Sequence, residues 1–482
     1  MSYSVLVVRG FCAVVIPANN IVSMVDLICG PVPIPLGIGG SWSTVWRTRS
    51  GWRVIRGLRP PRNGGSTIRL MGLTENLTMS DRDELPVLIV AFRSADLLEK
   101  CLQSVKTFHS DQDVLIWDNS GPEVSEVREL AQRYPEFRWH FSEVNVGFSA
   151  AVNRLADMVP GKNFLLLNPD AELLAPLEET IALLREPQVG AAGPMTAAND
   201  GSQTQTRHAA FLHPSAMPWD NCVRRLTLLS ALGAGAGLGN LLRGSPLSRF
   251  YRTAPSKVDG YIAGCCLAIS REAWEDLGGF DEEFFMYGEE ADWQQRANDA
   301  GWQVRLAMEV GVRHFRQGTT KGDRVRSQRS QDLSNSSLAL MIERSYSRRS
   351  ADLVLVWIYI FAEVKRVFRS EQSSADSRAD FLITVDGPHD FVRDKIAKAL
   401  ALENAGHHVV VVSLQRMGTL PRELPPTIRL VRMAWWLPWL PGVRLPLVVA
   451  SGATGKAKAF TRLLNLRPAA RSASKRFQVT SS

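Results

Sequence analysis

Residues 164–170 read Phe-Leu-Leu-Leu-Asn-Pro-Asp, and no other stretch constrains the fold as strongly. An apolar run without alternation reads as a strand buried on both faces, as in a parallel sheet covered by helices. The run stops at an Asn-Pro-Asp turn, which sets a carboxylate just beyond the carboxyl end of the strand. Open α/β sheets bind their ligands along that edge.

The flanking sequence keeps the same rhythm. Pro86–Ala91 reads as a strand, Ala95–Thr107 as an amphipathic helix, and Val114–Trp117 as a second strand ending at Asp118. Glu123–Tyr134 is helical, Arg138–Phe141 a short strand, Ser149–Met158 a helix, Phe164–Leu167 a strand and Leu177–Arg185 a helix. Strand and helix recur roughly every 25 to 30 residues, the signature of βαβ units. Right-handed crossovers then give a mostly parallel sheet with helices on both faces. Residues 190–260 are less periodic, and the glycine-rich Ala231–Gly244 lacks the glycine order of a phosphate loop, reading instead as a bend or a segment near an acceptor site. Cys265–Ile269 reads as a buried strand, Arg271–Leu277 as a short helix, and a helix from about Glu290 stops before Gly301.

The formal charge of +8 invites a nucleic-acid reading until it is located. Residues 1–70 hold eight arginines, a single acid (Asp26) and no lysine or glutamate, so the remaining 412 residues are nearly neutral. With no basic strip in the body, nucleic acid is excluded as a partner. Residues 1–80 read as a poorly ordered or spurious extension, with initiation at Met71 or Met79, or as a membrane-contacting segment. Six irregularly spaced cysteines argue for a reducing compartment and against a thiolate metal site, and Cys265-Cys266 reads as packing.

Domain boundaries follow: an extension at 1–80, an α/β catalytic unit at 81–330, a helical extension at 331–370, and a linker with a partial α/β segment and basic tail at 371–482. Within the third, Leu353–Val364 is apolar and aromatic with basic flanks. It is too short to span a bilayer, which takes about 20 residues. It suits either an anionic membrane surface or packing on its own domain. In the last, Phe381–Val385, Val392–Asn404 and His408–Val412 make one βαβ opening.

Chemistry gathers at the strand ends. Asp118 can accept a hydrogen bond from a nucleobase or ribose, or serve its own Asp-Asn-Ser-Gly turn. Ala91, Phe92 and Arg93 line the same edge, where backbone and ring can hold a base and the guanidinium can meet phosphate. Asn145, Gly147 and, on the following helix, Asn153 combine a tight turn with helix N-terminal donors suited to an anion or sugar hydroxyl. Asn168 and Asp170 close the opening motif, and Asp170 reads as an oxygen ligand for Mg²⁺ or Mn²⁺ or as a plain Asx turn. Glu290 and Asp292 sit at a helix start. One can be held by Arg296 while the other takes a proton from a sugar hydroxyl, or both can complement the helix dipole. His314 could complete a metal site or be structural.

Taken in order, Val87–Phe92, Asp118-Asn119-Ser120, Asn145–Phe148, Leu167–Asp170, Gly278–Glu282, Phe285–Asp292 and His314 with Gly318 resemble the family 2 inverting glycosyltransferases of GT-A fold. Within that family the likeness is to rhamnosyltransferase-like members that build bacterial cell-wall and surface polysaccharides. The resemblance spans about residues 85–320; residues 381–412 faintly resemble the opening of a GT-B enzyme. It implies Asp118 as the base-binding acid, Asp170 and His314 as metal ligands, Asn168 in place of the first acid of the usual pair, and Asp292 as organiser of the acceptor loop. Glu290 stands where an aspartate usually acts as base, one methylene longer.

The implied activity is transfer of L-rhamnose from dTDP-L-rhamnose to a polyprenyl-diphosphate-linked or saccharide acceptor. The implied setting is the cytoplasm or the cytoplasmic face of the inner membrane. UDP-galactofuranose, UDP-galactose and UDP-N-acetylglucosamine compete as donors. An inactive membrane-peripheral scaffold and a nucleotidyltransferase compete as classes, although the latter needs a glycine-rich basic loop that Ala91–Ala95 does not offer.

Overall fold

The computed structural model describes residues 85–197, 217–315, 324–368, 380–387 and 389–434, with short strand segments outside them. The chain divides into two units, Met1–Asp81 and Arg82–Ser482. In the first, Tyr3–Leu6 pairs antiparallel with Val14–Pro17, and three strands between Ile34 and Arg56 form a meander. Other expectations for residues 1–80, the linker at 371–376, and Gly318 lie outside the described residues.

The second unit opens with the expected alternation: β1 (Val87–Ala91), α1 (Ala95–Phe108), β2 (Val114–Asp118), α2 (Glu126–Arg133), β3 (Arg138–Phe141), α3 (Phe148–Asp157) and β4 (Phe164–Leu167). Then come β5 (Ala171–Leu173), α4 (Glu178–Leu184), β6 (Val189–Thr196), β7 (Cys222–Arg224), α5 (Leu228–Ala236), β8 (Gly260–Ile262), β9 (Cys266–Ile269), α6 (Arg271–Leu277), α7 (Glu289–Asp299) and β10 (Gln303–His314). Eight strands form one sheet in the order β5-β10-β6-β9-β4-β1-β2-β3. β1 to β4 are mutually parallel, as are β6 and β10, while β9 and β5 run antiparallel to their neighbours. The sheet is mostly parallel, with apolar clusters on both faces.

Every residue of β1 and β4 is buried, which is why neither alternates. On one face Phe164, Trp274, Phe280 and Trp293 pack edge-on or tilted at 5.1–5.7 Å between ring centroids. This aromatic group anchors α7, since Trp293 is fully buried and donates its indole N–H to the Gly278 carbonyl at 2.9 Å. Fully buried Gln294 clasps both the N–H and the carbonyl of Ile262 at 2.8 Å. Together these contacts fix the start of α7 against the β8–β9 connection.

Two long helices follow, α8 (Arg324–Ser345) and α9 (Arg348–Phe368). The apolar stretch of α9 is packed on its own unit: Ala351, Val354, Leu355 and Tyr359 are buried, while Leu353 and Trp357 on the other face remain exposed. Beyond them the chain does more than open a βαβ unit. β11 (Phe381–Val385), α10 (His389–Asn404), β12 (Val409–Ser413), α11 (Leu420–Glu423), β13 (Arg429–Arg432) and β14 (Val448–Ala450) build a four-stranded, all-parallel sheet in the order β13-β12-β11-β14. The expected βαβ opening is extended by two further parallel strands. β13 was hidden because Arg429 and Arg432 are buried, their charges met by Asp332 and Glu343 of α8.

Candidate active site

Because β2, β1 and β4 are parallel, their carboxyl ends share one edge, and that edge carries Asp118, Ala91–Arg93 and Asn168–Asp170. Asp118 is almost completely buried, and its Oδ1 accepts from the Ser120 N–H at 3.0 Å and the Ser120 hydroxyl at 2.5 Å. Burial raises its pKa, partly offset by those two hydrogen bonds. The Ser120 hydroxyl also accepts from the N–H of Arg93, which has φ +49°, so the two strand-end turns are tied together.

The Asn145–Gly147 turn is set by a residue that sequence reasoning passed over. Asn119 accepts from the Val146 N–H and donates to the Gly147 carbonyl, both at 3.2 Å. Asn145 closes its own Asx turn onto the Gly147 N–H at 3.0 Å. Gly147 has φ +88°, and a Cβ there would lie 2.8 Å from the Phe285 carbonyl oxygen. Asn153, expected among the nucleotide contacts, instead serves the backbone. Its amide accepts from the Phe280 N–H and donates to the Phe280 carbonyl, each at 2.9 Å. It staples α3 to the loop before α7.

Antiparallel pairing of β5 with β10 sets Ala171 opposite His314 and brings Asp170 and His314, 144 residues apart, to 3.1 Å between Oδ1 and Nε2. Burial disfavours the imidazolium, but hydrogen bonds to Asp170 and Cys265 outweigh it and raise His314 to about 10. Once the imidazole gives up its proton, one carboxylate and one imidazole at this spacing suit a divalent cation whose remaining ligands are diphosphate oxygens and water. No group of three or more protein ligands exists among the described residues.

At the start of α7 three acids have three environments. Asp292 is committed, with Oδ2 held by Arg296 at 3.0 Å and Oδ1 by Arg344 at 3.1 Å. Glu289 is buried, one of its oxygens lacks a hydrogen-bond partner among the described residues, and burial followed by the neighbouring Glu290 pushes its pKa far up. Glu290 is partly exposed at the residue level and accepts from the Gly288 N–H at 3.2 Å. Burial of the carboxyl raises it too, while hydrogen bonds from main-chain N–H groups and from Glu289 favour its ionised form. Of the three, Glu290 is the carboxylate suited to take a proton.

The Gly264-Cys265 step joins these parts. A Cβ on Gly264 would lie 3.4 Å from Cγ of Glu290 and 3.8 Å from Leu166 on β4. The Cys265 carbonyl accepts from the Asn168 N–H at 3.0 Å, and Cys265 also hydrogen-bonds His314. Glu290 thus packs against Gly264, and the next residue along the same connection, Cys265, meets His314. Burial raises the Tyr287 pKa, opposed by the hydrogen bond with Ser330 and reinforced by the charges of Glu289, Asp170 and Glu290.

Residues 87–276 match the family model described as Glycosyl transferase family 2; Glu290, Asp292 and His314 lie beyond the matched segment. An N-acetylglucosaminyl-diphospho-decaprenol L-rhamnosyltransferase of Mycobacterium tuberculosis is 29% identical over 259 residues, covering 50% of this chain and 79% of that protein. An O-antigen biosynthesis protein of Myxococcus xanthus is 25% identical over 248 residues, 49% of this chain and 18% of that protein. Among solved structures, glucosyl-3-phosphoglycerate synthase of M. tuberculosis covers 55% of this chain and 80% of its own at 15% identity, with a TM-score of 0.32. Over residues 87–276, part of the chain, the sequence thus resembles glycosyl transferase family 2.

Proposed function

We propose that the chain is an inverting rhamnosyltransferase, moving L-rhamnose from dTDP-L-rhamnose to a saccharide carried on a polyprenyl diphosphate. The observation that supports the site is the Gly264-Cys265 step, where Glu290 packs against Gly264 and the neighbouring Cys265 meets His314. Donor and acceptor identity rest on likeness to the mycobacterial relative, whose name specifies an N-acetylglucosaminyl-diphospho-decaprenol acceptor.

Asp118 and the backbone at Ala91 hold the nucleoside, and the Asn145–Gly147 turn faces sugar or phosphate oxygens. Asp170 and His314 are the residues that would hold Mg²⁺ or Mn²⁺, which supplies positive charge beside the diphosphate when bound. Glu290 accepts the acceptor hydroxyl's proton as that oxygen bonds to the anomeric carbon from the face opposite the diphosphate. The bond from that carbon to the diphosphate oxygen breaks, its electron pair leaves with the nucleoside diphosphate, and the anomeric configuration inverts. Glu290 need not be strongly basic, because the proton departs as the new bond forms.

A lipid-linked acceptor calls for a surface near a bilayer. Among the described residues no helix is long and apolar enough to cross a membrane. Leu353 and Trp357 of α9 are exposed beside α5, where Trp357 donates to the Leu232 carbonyl and Leu229 is exposed. Arg349 is exposed at the head of α9. This apolar strip with a basic end suits peripheral contact with an anionic inner leaflet.

The test is a panel of nucleotide-sugars with a lipid-diphosphate acceptor, run beside Glu290→Gln and Asp170→Asn. Glu290→Gln should lose at least about a hundredfold in kcat with nucleotide binding intact, and Asp170→Asn should lose both turnover and metal-dependent nucleotide binding. Normal kcat in Glu290→Gln refutes the base, and preferred transfer from a UDP-sugar refutes the rhamnose donor.

A further inference from the structure

We propose that Arg344 of α8 is a positioning residue for the transfer reaction, holding residues 281–292 in the one geometry that presents Glu290 to the acceptor; this rests on Glu290 being the base. The Arg344 guanidinium lies 5.0 Å over the Phe284 ring and reaches three carboxylates. It meets Asp281 at 2.6 Å, Glu283 at 2.7 Å and Asp292 at 3.1 Å. Asp281 and Glu283 belong to the loop before α7, and Asp292 to its first turn, so a single fork spans loop and helix. Arg296 takes the other Asp292 oxygen and caps the Leu277 and Gly279 carbonyls at 2.7 and 2.9 Å.

The clamp is backed by the C-terminal sheet. Arg416, just beyond β12, meets Glu283 at 3.3 Å and Glu343 at 3.1 Å, and Arg422 meets the Glu282 carboxylate at 3.1 Å. The opposite side of the loop rests on the nucleotide side of the site. The Phe148 N–H donates to the Phe285 carbonyl at 2.7 Å, and the Ser149 hydroxyl donates to the Phe284 carbonyl at 2.5 Å. Residues 281–288 are therefore the spacer between the Asn145–Gly147 turn and the base. Removing Arg344 leaves three neighbouring acids with less compensating charge, and like charges at close range push apart. A displacement of about 1 Å at a catalytic group can cost about a hundredfold in rate.

In the full-length protein, Arg344→Met should lower kcat about 10- to 100-fold, while donor KM and nucleotide affinity stay within about threefold of wild type. Arg344→Lys should recover part of the rate, because an ammonium restores charge but not the fork that serves three carboxylates. Glu283→Gln, which touches the clamp at its far end, should lower kcat by roughly threefold and decides the matter should Arg344→Met fail to fold. Arg344→Met with kcat within twofold of wild type, or nucleotide affinity falling in parallel with kcat, overturns the proposal. Parallel loss in Arg344→Lys, or an unchanged kcat in Glu283→Gln, does the same. Loss of activity in Glu290→Gln alongside an unaffected Arg344→Met would sink the clamp and leave the base reading standing.

Discussion

Asp332 offers the sharpest test of how the C-terminal sheet is held. Its carboxylate meets Arg429 in a two-pronged pair, 2.7 Å to Nε and 3.2 Å to Nη2, with side-chain exposures of 4% and 10%. Burial pushes the Asp332 pKa up against the pull of Arg429, so the charged carboxylate is tolerated only because its partner is present. Asp332→Ala would remove the buried carboxylate that meets the Arg429 guanidinium on two of its nitrogens. Arg329, held by the Pro421, Leu424 and Pro425 carbonyls at 2.9–3.1 Å, would lose its nearby counter-charge as well. Breaking one side of a buried pair costs about 3–5 kcal/mol, whereas replacing both partners by apolar residues of similar size is often neutral. Hydrogen exchange reads this directly: at about 3 kcal/mol, amides of β11 to β13 should exchange roughly 150-fold faster while those of β1 and β4 are unchanged. The double variant Asp332→Leu, Arg429→Met should restore most of that protection. A single variant within about fivefold of wild type, or a double variant as fast as the single, would refute the asymmetry.

Other outcomes are equally specific. Gly147→Ala sets a side chain at φ +88° against the Phe285 carbonyl; a left-handed residue alone costs about 1–2 kcal/mol, so nucleotide affinity measured by calorimetry should fall about tenfold. An unchanged affinity would remove the turn from the donor site. Burial raises the Glu290 pKa, and the base works ionised, so the acidic limb of the kcat–pH profile should lie above the solution glutamate value of about 4.3. A limb at or below that value would mean another group is titrating.

The parallel core was legible because β1, β2 and β4 are short, unbroken apolar runs, two of them ending in Asp or Asn-Pro-Asp turns, and burial on both faces explains their lack of alternation. β6 escaped notice because Val-Gly-Ala-Ala-Gly-Pro-Met-Thr lacks the bulky residues that usually signal a strand. Gly193 is needed there, since a Cβ would meet the Cys266 carbonyl at 3.0 Å. β10 carries charged residues along its length, and its irregular register breaks the alternation that would reveal it. At the site, the strand-end acids and the Asp292–Arg296 pair could be named from sequence, but contacts arriving from far along the chain could not. Asp292 is occupied because Arg344 arrives from 52 residues away, and Asn153 serves a backbone 127 residues distant. Asn119 left a signal, standing between Asp118 and Ser120 in a turn. Cys265 left none, because as sequence it is one more apolar residue in a buried run.

The irregular register of β10 bears on which length changes the chain can survive. Its pairing with β6 slips between Pro194 and Met195 and again between Met195 and Thr196, so the strand takes up extra residues before reaching His314. Side chains on a strand alternate between faces, so deleting a single residue from 308–311 would turn His314 away from Asp170 while leaving both residues in place. An insertion of the same size in the Ala175–Leu177 connection, outside the β5–β10 ladder, should be borne far better. If His314 and Asp170 act together as proposed, the number of residues ahead of His314 is as much a condition of function as the identity of the histidine.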